Sequence, residues 1–114
     1  MADGERLICA SEALVDGGLG VRFELRRAGE SLPAFVVRHR GQIHAYVNEC
    51  RHQDSELDWN PGEFFDSAKL YLICATHGAV YQPEDGLCIE GPCRGARLMP
   101  VSVHEHDGRV FLSE

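Results

Sequence analysis

Short runs that alternate between apolar and polar residues recur along this chain and are separated by turn signals. The clearest run is 21–27, where Val21, Phe23 and Leu25 alternate with charged residues. A period of two residues is typical of a strand with one buried face. On this pattern we predict strands at 5–10, 21–27, 34–40, 42–48, 69–74, 79–82, 87–90, 101–105 and 109–112.

The segments between these runs favour tight turns. Arg40-Gly41 and Asp107-Gly108 each separate two strand-like runs, which predicts two hairpins. Only 11–15 and 54–58 favour a helical turn, and neither has the spacing of a longer amphipathic helix. We therefore predict an all-β, antiparallel fold, and 114 residues fit a single domain, 1–114.

Charge and hydropathy narrow the range of partners and locations. Eleven basic and eighteen acidic residues give a formal charge of −7, which gives little support for a nucleic-acid partner. An acidic protein would be attracted to a basic patch on a protein partner. No signal peptide or membrane-spanning run is apparent, so we expect the cytoplasm, where structural disulfides are uncommon. Five cysteines there indicate metal or redox chemistry.

Two short pairs of metal-binding residue types dominate the sequence. Cys50 and His52 form a C-x-H pair, and Cys74 and His77 form a C-x-x-H pair after 21 intervening residues, with Gly78 directly behind. Each pair joins a soft thiolate to an imidazole. Two Cys and two His arranged as C-x-H and C-x-x-H pairs are expected when one iron of a [2Fe–2S] cluster is bound by sulfur and the other by nitrogen.

A mononuclear zinc site is the alternative for the same four residues. Zinc also accepts two Cys and two His, but its sites usually place like residues together, as C-x₂₋₄-C and H-x₃₋₅-H. The mixed pairs at 50–52 and 74–77 depart from that habit. The pattern favours the cluster and leaves zinc open.

The paired motif resembles the two cluster-binding loops of Rieske [2Fe–2S] proteins. Gly91-Pro92 stands where that family has a third, proline-containing loop over the cluster. The resemblance implies a Rieske-like antiparallel β-sandwich with a small cluster-binding subdomain formed by loops, at about 48–96. It also implies that one iron is bound by Cys50 and Cys74, and the other by His52 and His77. The chain looks most like small soluble Rieske-type ferredoxins.

Departures from the family pattern bear on the reduction potential. High-potential respiratory members carry an extra cysteine in each loop, where this chain has Ser55 and Thr76. They also have a serine two residues after the second His, where this chain has Ala79, although the family tyrosine is present as Tyr81. A lost hydroxyl donor should destabilise the reduced cluster. We therefore expect a potential at the low end of the Rieske range.

The remaining cysteines, histidines and loop aromatics have structural explanations. We expect a cysteine in the core at position 9 and two packed, reduced thiols at 88 and 93. Four histidines fall on strand positions expected to be exposed and polar. We also expect the aromatic residues of the long spacer to pack rather than form a docking surface. These residues are Cys9, Cys88, Cys93, His39, His44, His104, His106, Trp59, Phe64 and Phe65.

Electron transfer is the function that the resemblance implies. The leading hypothesis is a monomeric one-electron carrier that takes an electron from a reductase and passes it to an oxygenase or another acceptor. The alternative is the Rieske component of an oxidoreductase, as in aromatic-ring dioxygenase systems or the small subunit of nitrite reductase. A zinc-bound interaction module is a third reading. The chain lacks room for a separate iron(II) domain, so we do not expect an oxygenase by itself.

Overall fold

The computed structural model describes residues 5–27, 29–49, 56–58, 60–74, 78–92 and 94–113. Over these ranges the chain forms nine strands and one 3₁₀ turn at Ser11–Ala13. The strands are β1 Glu5–Ala10, β2 Val21–Arg27, β3 Glu30–His39, β4 Gln42–Val47, β5 Leu72–Ile73, β6 Val80–Tyr81, β7 Cys88–Glu90, β8 Val103–His106 and β9 Arg109–Ser113. The all-β prediction is confirmed. No helix in the described part of the chain has the length and apolar character to cross a membrane.

Both predicted hairpins are present. Arg40 and Gly41 have φ values of 52° and 80°, and Asp107 and Gly108 have 50° and 72°. Two consecutive positive φ angles make the tight turn whose twist matches that of the flanking strands. The carboxylate of Asp16 holds the first hairpin, because it accepts hydrogen bonds from the Arg40 and Gly41 N–H groups at 2.9 and 2.6 Å.

Several strand boundaries differ from the prediction by one or two residues, and the largest differences are at β3, at β5 and in one helical turn. β3 starts at residue 30 rather than 34, since its pairing with β2 continues through Pro33. β5 covers only 72–73 of the predicted 69–74. Lys69 has a φ of 61°, and Asp66 Oδ1 accepts a hydrogen bond from the Leu70 N–H at 3.0 Å, so a turn occupies the start of that run. Residues 56–58 are not helical, and the rest of the predicted turn at 54–58 lies outside the described residues.

The strands form three antiparallel, three-stranded sheets. Their strand orders are β1-β9-β8, β2-β3-β4 and β5-β6-β7. The second and third sheets are simple meanders, whereas the first pairs β1 with β9, which is distant in sequence. The β2-β3-β4 sheet contributes side chains to both hydrophobic cores of the molecule and therefore lies between them. We call it the central sheet.

Strand β3 is buried on both of its faces. Residues 34–37 are all at most 1% exposed. Because side chains alternate across a strand, Phe35 and Val37 enter one core, while Ala34 and Val36 enter the other. One strand thus ties the two cores together.

Each core has its own membership. The sandwich core lies between the first two sheets and consists of Leu14, Leu25, Ala34, Val36, Ala45, Val47, Val101, Val110 and Leu112. The loop-side core joins the second and third sheets and consists of Phe35, Val37, Tyr46, Leu57, Phe64, Leu72, Cys74, Ala79, Tyr81, Cys88 and Leu98.

Arg38 joins three parts of the chain that are distant in sequence. Its guanidinium donates to the Leu14 carbonyl at 2.9 Å, to the Gly41 carbonyl at 3.1 Å and to the Glu105 carboxylate at 2.6 Å. The hydrogen bond from Arg38 holds the pKa of Glu105 below its ordinary value of 4.5. The folded protein therefore favours the ionised form of Glu105.

We predict that Glu105→Gln lowers the free energy of unfolding at pH 7 by about 1 kcal/mol, because the charged hydrogen bond to Arg38 becomes neutral and Glu105 is partly exposed. A depressed folded-state pKa contributes stability above the ordinary pKa, and this contribution is lost as the pH falls through the folded-state value. The gap between wild type and variant, measured by urea unfolding, should therefore close below about pH 4. Glu12→Gln, at an exposed acid nearby, is the matched control. A gap independent of pH would contradict this prediction.

Candidate metal centre

Cys74 directly follows β5 and is fully buried in the loop-side core. The Cys74 N–H donates to the Ala79 carbonyl at 2.8 Å, and the Gly78 N–H donates to the Cys74 carbonyl at 2.7 Å. These main-chain bonds bring the two ends of the second motif segment (74–78) together. The segment contains the C-x-x-H pair. Cys74, the first candidate ligand of this pair, is therefore anchored at the end of β5.

Gly91 lies directly against the chain next to this segment. It has a φ of 106°, and a Cβ atom at this glycine would come within 2.8 Å of the Cα of Ala79. A side chain there would meet backbone that cannot move aside easily. Only glycine therefore allows the 91–92 segment to approach Ala79 so closely.

The first motif segment (49–56) is closed by a pair of buried side chains. Asn48, at the end of β4, accepts a hydrogen bond from the Leu57 N–H at 2.8 Å through its Oδ1. Its Nδ2 donates to Asp58 Oδ1 at 3.0 Å. The two residues are only 1% and 7% exposed. Asn48 therefore holds together the two ends of the segment that contains the C-x-H pair.

The buried carboxylate of Asp58 has further partners. The Gly62 N–H donates to Asp58 Oδ2 at 2.9 Å, and Arg22 Nε lies 3.5 Å from the same oxygen. Arg22 also pairs with Glu56 at 2.7 Å, so β2 contacts both residues near the far end of the segment. These hydrogen bonds and the neighbouring cation offset the cost of burying a charge.

Comparison with known proteins identifies the family. The model of the Rieske [2Fe-2S] domain family matches residues 6–105. The chain belongs to the Rieske [2Fe–2S] domain family. Its cofactor is therefore a Rieske-type [2Fe–2S] cluster, and the chain is an electron-transfer domain. The family match therefore decides against the alternative of a mononuclear zinc site.

Two curated relatives share part of their length with this Rieske domain. The chain is 34% identical over 89 residues to the glycine betaine monooxygenase oxygenase subunit of Pseudomonas aeruginosa, in strains UCBPP-PA14 and PAO1. The match covers 71% of this chain and 20% of each relative. The chain thus spans about a fifth of the length of the curated relatives it matches.

Solved structures share the fold. A chain from the complex of reduced oxygenase and oxidised ferredoxin in carbazole 1,9a-dioxygenase superposes with a TM-score of 0.72 at 22% identity, covering 96% of this chain and 93% of that one. The Sphingomonas yanoikuyae B1 ferredoxin superposes with a TM-score of 0.72 at 18% identity, covering 96% and 98%. The predicted Rieske fold is confirmed.

One of the four predicted ligands lies among the described residues, and its surroundings suit a cluster. Cys74 is fully buried in an apolar core, where a thiolate is stable only beside a positive charge such as an iron ion. Cys50, His52 and His77 lie outside the described residues, so the convergence of the four ligands stays a prediction.

The residues behind the predicted potential and the long spacer are partly described. Ala79 and Tyr81 are fully buried in the loop-side core, and a contact between the Tyr81 hydroxyl and a ligand sulfur stays a prediction. Phe64 stacks on Phe35 with ring centroids 4.0 Å apart, and Phe65 packs against the same core, as predicted. The other three residues named earlier for this region, Ser55, Trp59 and Thr76, lie outside the described residues.

The prediction for His39 was wrong. This side chain is only 4% exposed, and its ring stacks on Phe65 with centroids 5.9 Å apart. His39 is at the end of β3, whose two faces are both covered, so the alternation that predicts an exposed position does not apply. His106 is exposed as expected, whereas His44 and His104 are half-buried, and burial lowers the pKa of His44.

The described cysteines outside the motifs are packed, as predicted. Cys9 lies against the sandwich core, and burial raises the pKa of its thiol. Cys88 is buried, and its Sγ donates to the Glu90 carbonyl at 3.2 Å, as expected of a thiol. Cys93 lies outside the described residues, so the state of that pair stays a prediction.

We predict that Gly91→Ala destabilises the protein and speeds cluster loss, since the new methyl group would push the 91–92 segment away from Ala79. Gly95→Ala is the matched control, because Gly95 has a similar φ of 95° but no atom within 4 Å of a Cβ. The left-handed backbone should lower the free energy of unfolding by about 1 kcal/mol in both variants. The clash with Ala79 should lower it by about 1–3 kcal/mol more in Gly91→Ala. Thermal unfolding and visible absorption measure both effects. Equal losses in the two variants would show that the close contact is unimportant.

Proposed function

We propose that this Rieske domain is a low-potential one-electron carrier that passes electrons from a reductase to an oxygenase or another acceptor. The observation that carries the proposal is the family match over 6–105, which supplies the redox centre. Similarity to a ferredoxin supports a free carrier, since the chain and the Sphingomonas yanoikuyae B1 ferredoxin cover each other almost completely. We further propose that it works as a monomer in the cytoplasm.

In this proposal Cys50 and Cys74 hold one iron, and His52 and His77 hold the other. When bound, the cluster accepts and donates one electron, at a potential that imidazole ligation raises above that of an all-thiolate cluster. The protein's part is to fix the ligands. Cys74 is held by main-chain bonds at the end of β5, and the first motif segment is closed by Asn48.

The low potential follows from the surroundings of the second motif segment. Ala79 is fully buried and adds no hydroxyl group to the loop-side core. Hydrogen bonds to a cluster or its ligands stabilise the reduced state, which carries more negative charge. Without a serine at this position, reduction is less favourable than in the high-potential members of the family, which have that serine.

Protein redox partners follow from the function of a carrier. The carbazole 1,9a-dioxygenase structures contain an oxygenase in complex with a ferredoxin, which supports an oxygenase as the acceptor here. The formal charge of −7 favours partners that present a basic surface and association that weakens with salt.

A second function is favoured by the curated relatives. Their 34% identity to this chain lies within an oxygenase subunit, which supports a Rieske component of a larger oxidoreductase. The small subunit of nitrite reductase is the other form of this alternative that the family resemblance implies. Affinity capture separates the two functions. Stoichiometric capture of a partner that resists salt would favour the component, and salt-sensitive, transient binding would favour the carrier.

We predict that the purified protein is red-brown, with about equal iron and sulfide, and that Cys50→Ser or His77→Ala abolishes the cluster. The average g-value in the electron paramagnetic resonance (EPR) spectrum of the reduced protein should indicate mixed Cys and His ligation. Cys9→Ser, at a cysteine packed against the sandwich core, is the matched control and should keep the cluster. A Cys50→Ser protein with the wild-type spectrum would contradict the ligand assignment.

We predict that Ala79→Ser raises the reduction potential, because the new hydroxyl can donate to the cluster or its ligands. A tenfold preference for the reduced state corresponds to about 60 mV for one electron. Ala45→Ser, at a buried alanine of the sandwich core, is the control and should lose stability without a change in potential. Redox titration of both variants gives the result, and an unchanged or lower potential in Ala79→Ser would contradict the explanation.

A further inference from the structure

We propose that Asn48 and Asp58 are positioning residues for the cluster, acting through the first motif segment. This inference rests on the proposed ligand role of Cys50 and His52, which lie between them in sequence. It assigns a function to two buried polar residues that are not themselves ligands.

The chain leaves β4 at Asn48, and Cys50 is two residues further on. The Asn48 amide contacts residues at the other end of the segment through both of its polar atoms, at Leu57 N and Asp58 Oδ1. The main chain of Asn48 is fixed as well, because its N–H donates to the Pro33 carbonyl in β3 at 2.8 Å. Closing both ends on the central sheet restricts the positions that Cys50 and His52 can take.

The two motif segments are closed by different means. The second segment is closed by main-chain bonds between Cys74, Gly78 and Ala79, which do not depend on side-chain identity. Among the described residues, the ends of the first segment are joined through the side chains of Asn48 and Asp58. Its geometry should therefore respond to conservative substitutions that the second segment would tolerate.

Donors and acceptors in this pair are matched one to one. Asp58 uses one carboxylate oxygen for the Asn48 amide and the other for the Gly62 N–H. Asn48→Asp would place two carboxylates against each other inside the protein. Asp58→Asn would supply a second amide, so one N–H group would face another donor. Each single change thus breaks the pair while nearly preserving its shape.

The exchange Asn48→Asp with Asp58→Asn restores the matching. An aspartate at 48 can accept from the Leu57 N–H and from an amide at 58, and the asparagine oxygen at 58 can accept from the Gly62 N–H. Net charge also returns to the wild-type value. The attraction between Arg22 and Asp58 across 3.5 Å is lost, so recovery should be incomplete.

The test compares cluster loss to a chelator and the EPR spectrum of the reduced protein in both single variants and the exchange. We expect each single change to speed cluster loss about tenfold or more and to broaden the EPR lines. The exchange should return the rate to within about threefold of wild type and restore the spectrum. The reduction potential of the cluster distinguishes an effect of charge from an effect of geometry. The added negative charge in Asn48→Asp should lower the potential, and the lost negative charge in Asp58→Asn should raise it. Cluster loss should become faster in both variants, because both disturb the geometry.

Gln42→Glu and Asp107→Asn make the same charge changes at exposed positions and are the matched controls; both should keep the wild-type rate and spectrum. An exchange variant that fails to recover, or single variants that lower the melting temperature without altering cluster loss or spectrum, would overturn the proposal. A wild-type protein without a Rieske EPR signal would instead refute the proposed function, so the two failures are distinguishable.

Discussion

Burial of the central sheet on both faces is the constraint on which the rest of the molecule depends. Residues 34–37 of β3 send alternate side chains into two separate cores. The sandwich core holds the sheet from one side, and the loop-side core attaches the short β5-β6-β7 sheet to the other. Strands of two or three residues would not be stable alone, so the β5-β6-β7 sheet, which carries the second motif segment, depends on packing against the central sheet.

Most strands could be predicted because alternation is a local property that the sequence shows directly. The two-sided burial of β3 was missed, and with it the burial of His39. The run Ala34-Phe35-Val36-Val37 carried the signal, since a continuous apolar run is typical of a strand covered on both faces. The length of β5 was overestimated because the Asp66 carboxylate organises a turn that apolar pattern cannot reveal.

The candidate site also has a part that could be predicted from the sequence and a part that could not. The Cys and His residues could be recognised because their spacing within each pair is local. The contact of Gly91 with Ala79 and the closure of Asn48 on Asp58 join residues whose meeting depends on the completed fold. Residue types at these positions hint at a turn or a cap, but nothing in a single sequence says which distant residue each one meets.

The burial of Cys74 has a further consequence for the rate of electron transfer. Its side chain is buried in the loop-side core, which also contains side chains of β3 and β4, and its N–H and carbonyl groups are both hydrogen-bonded. A packed apolar core has few dipoles that can reorient when a neighbouring charge changes. With Cys74 in its proposed role as a ligand, this core should therefore contribute little to the reorganisation energy of electron transfer.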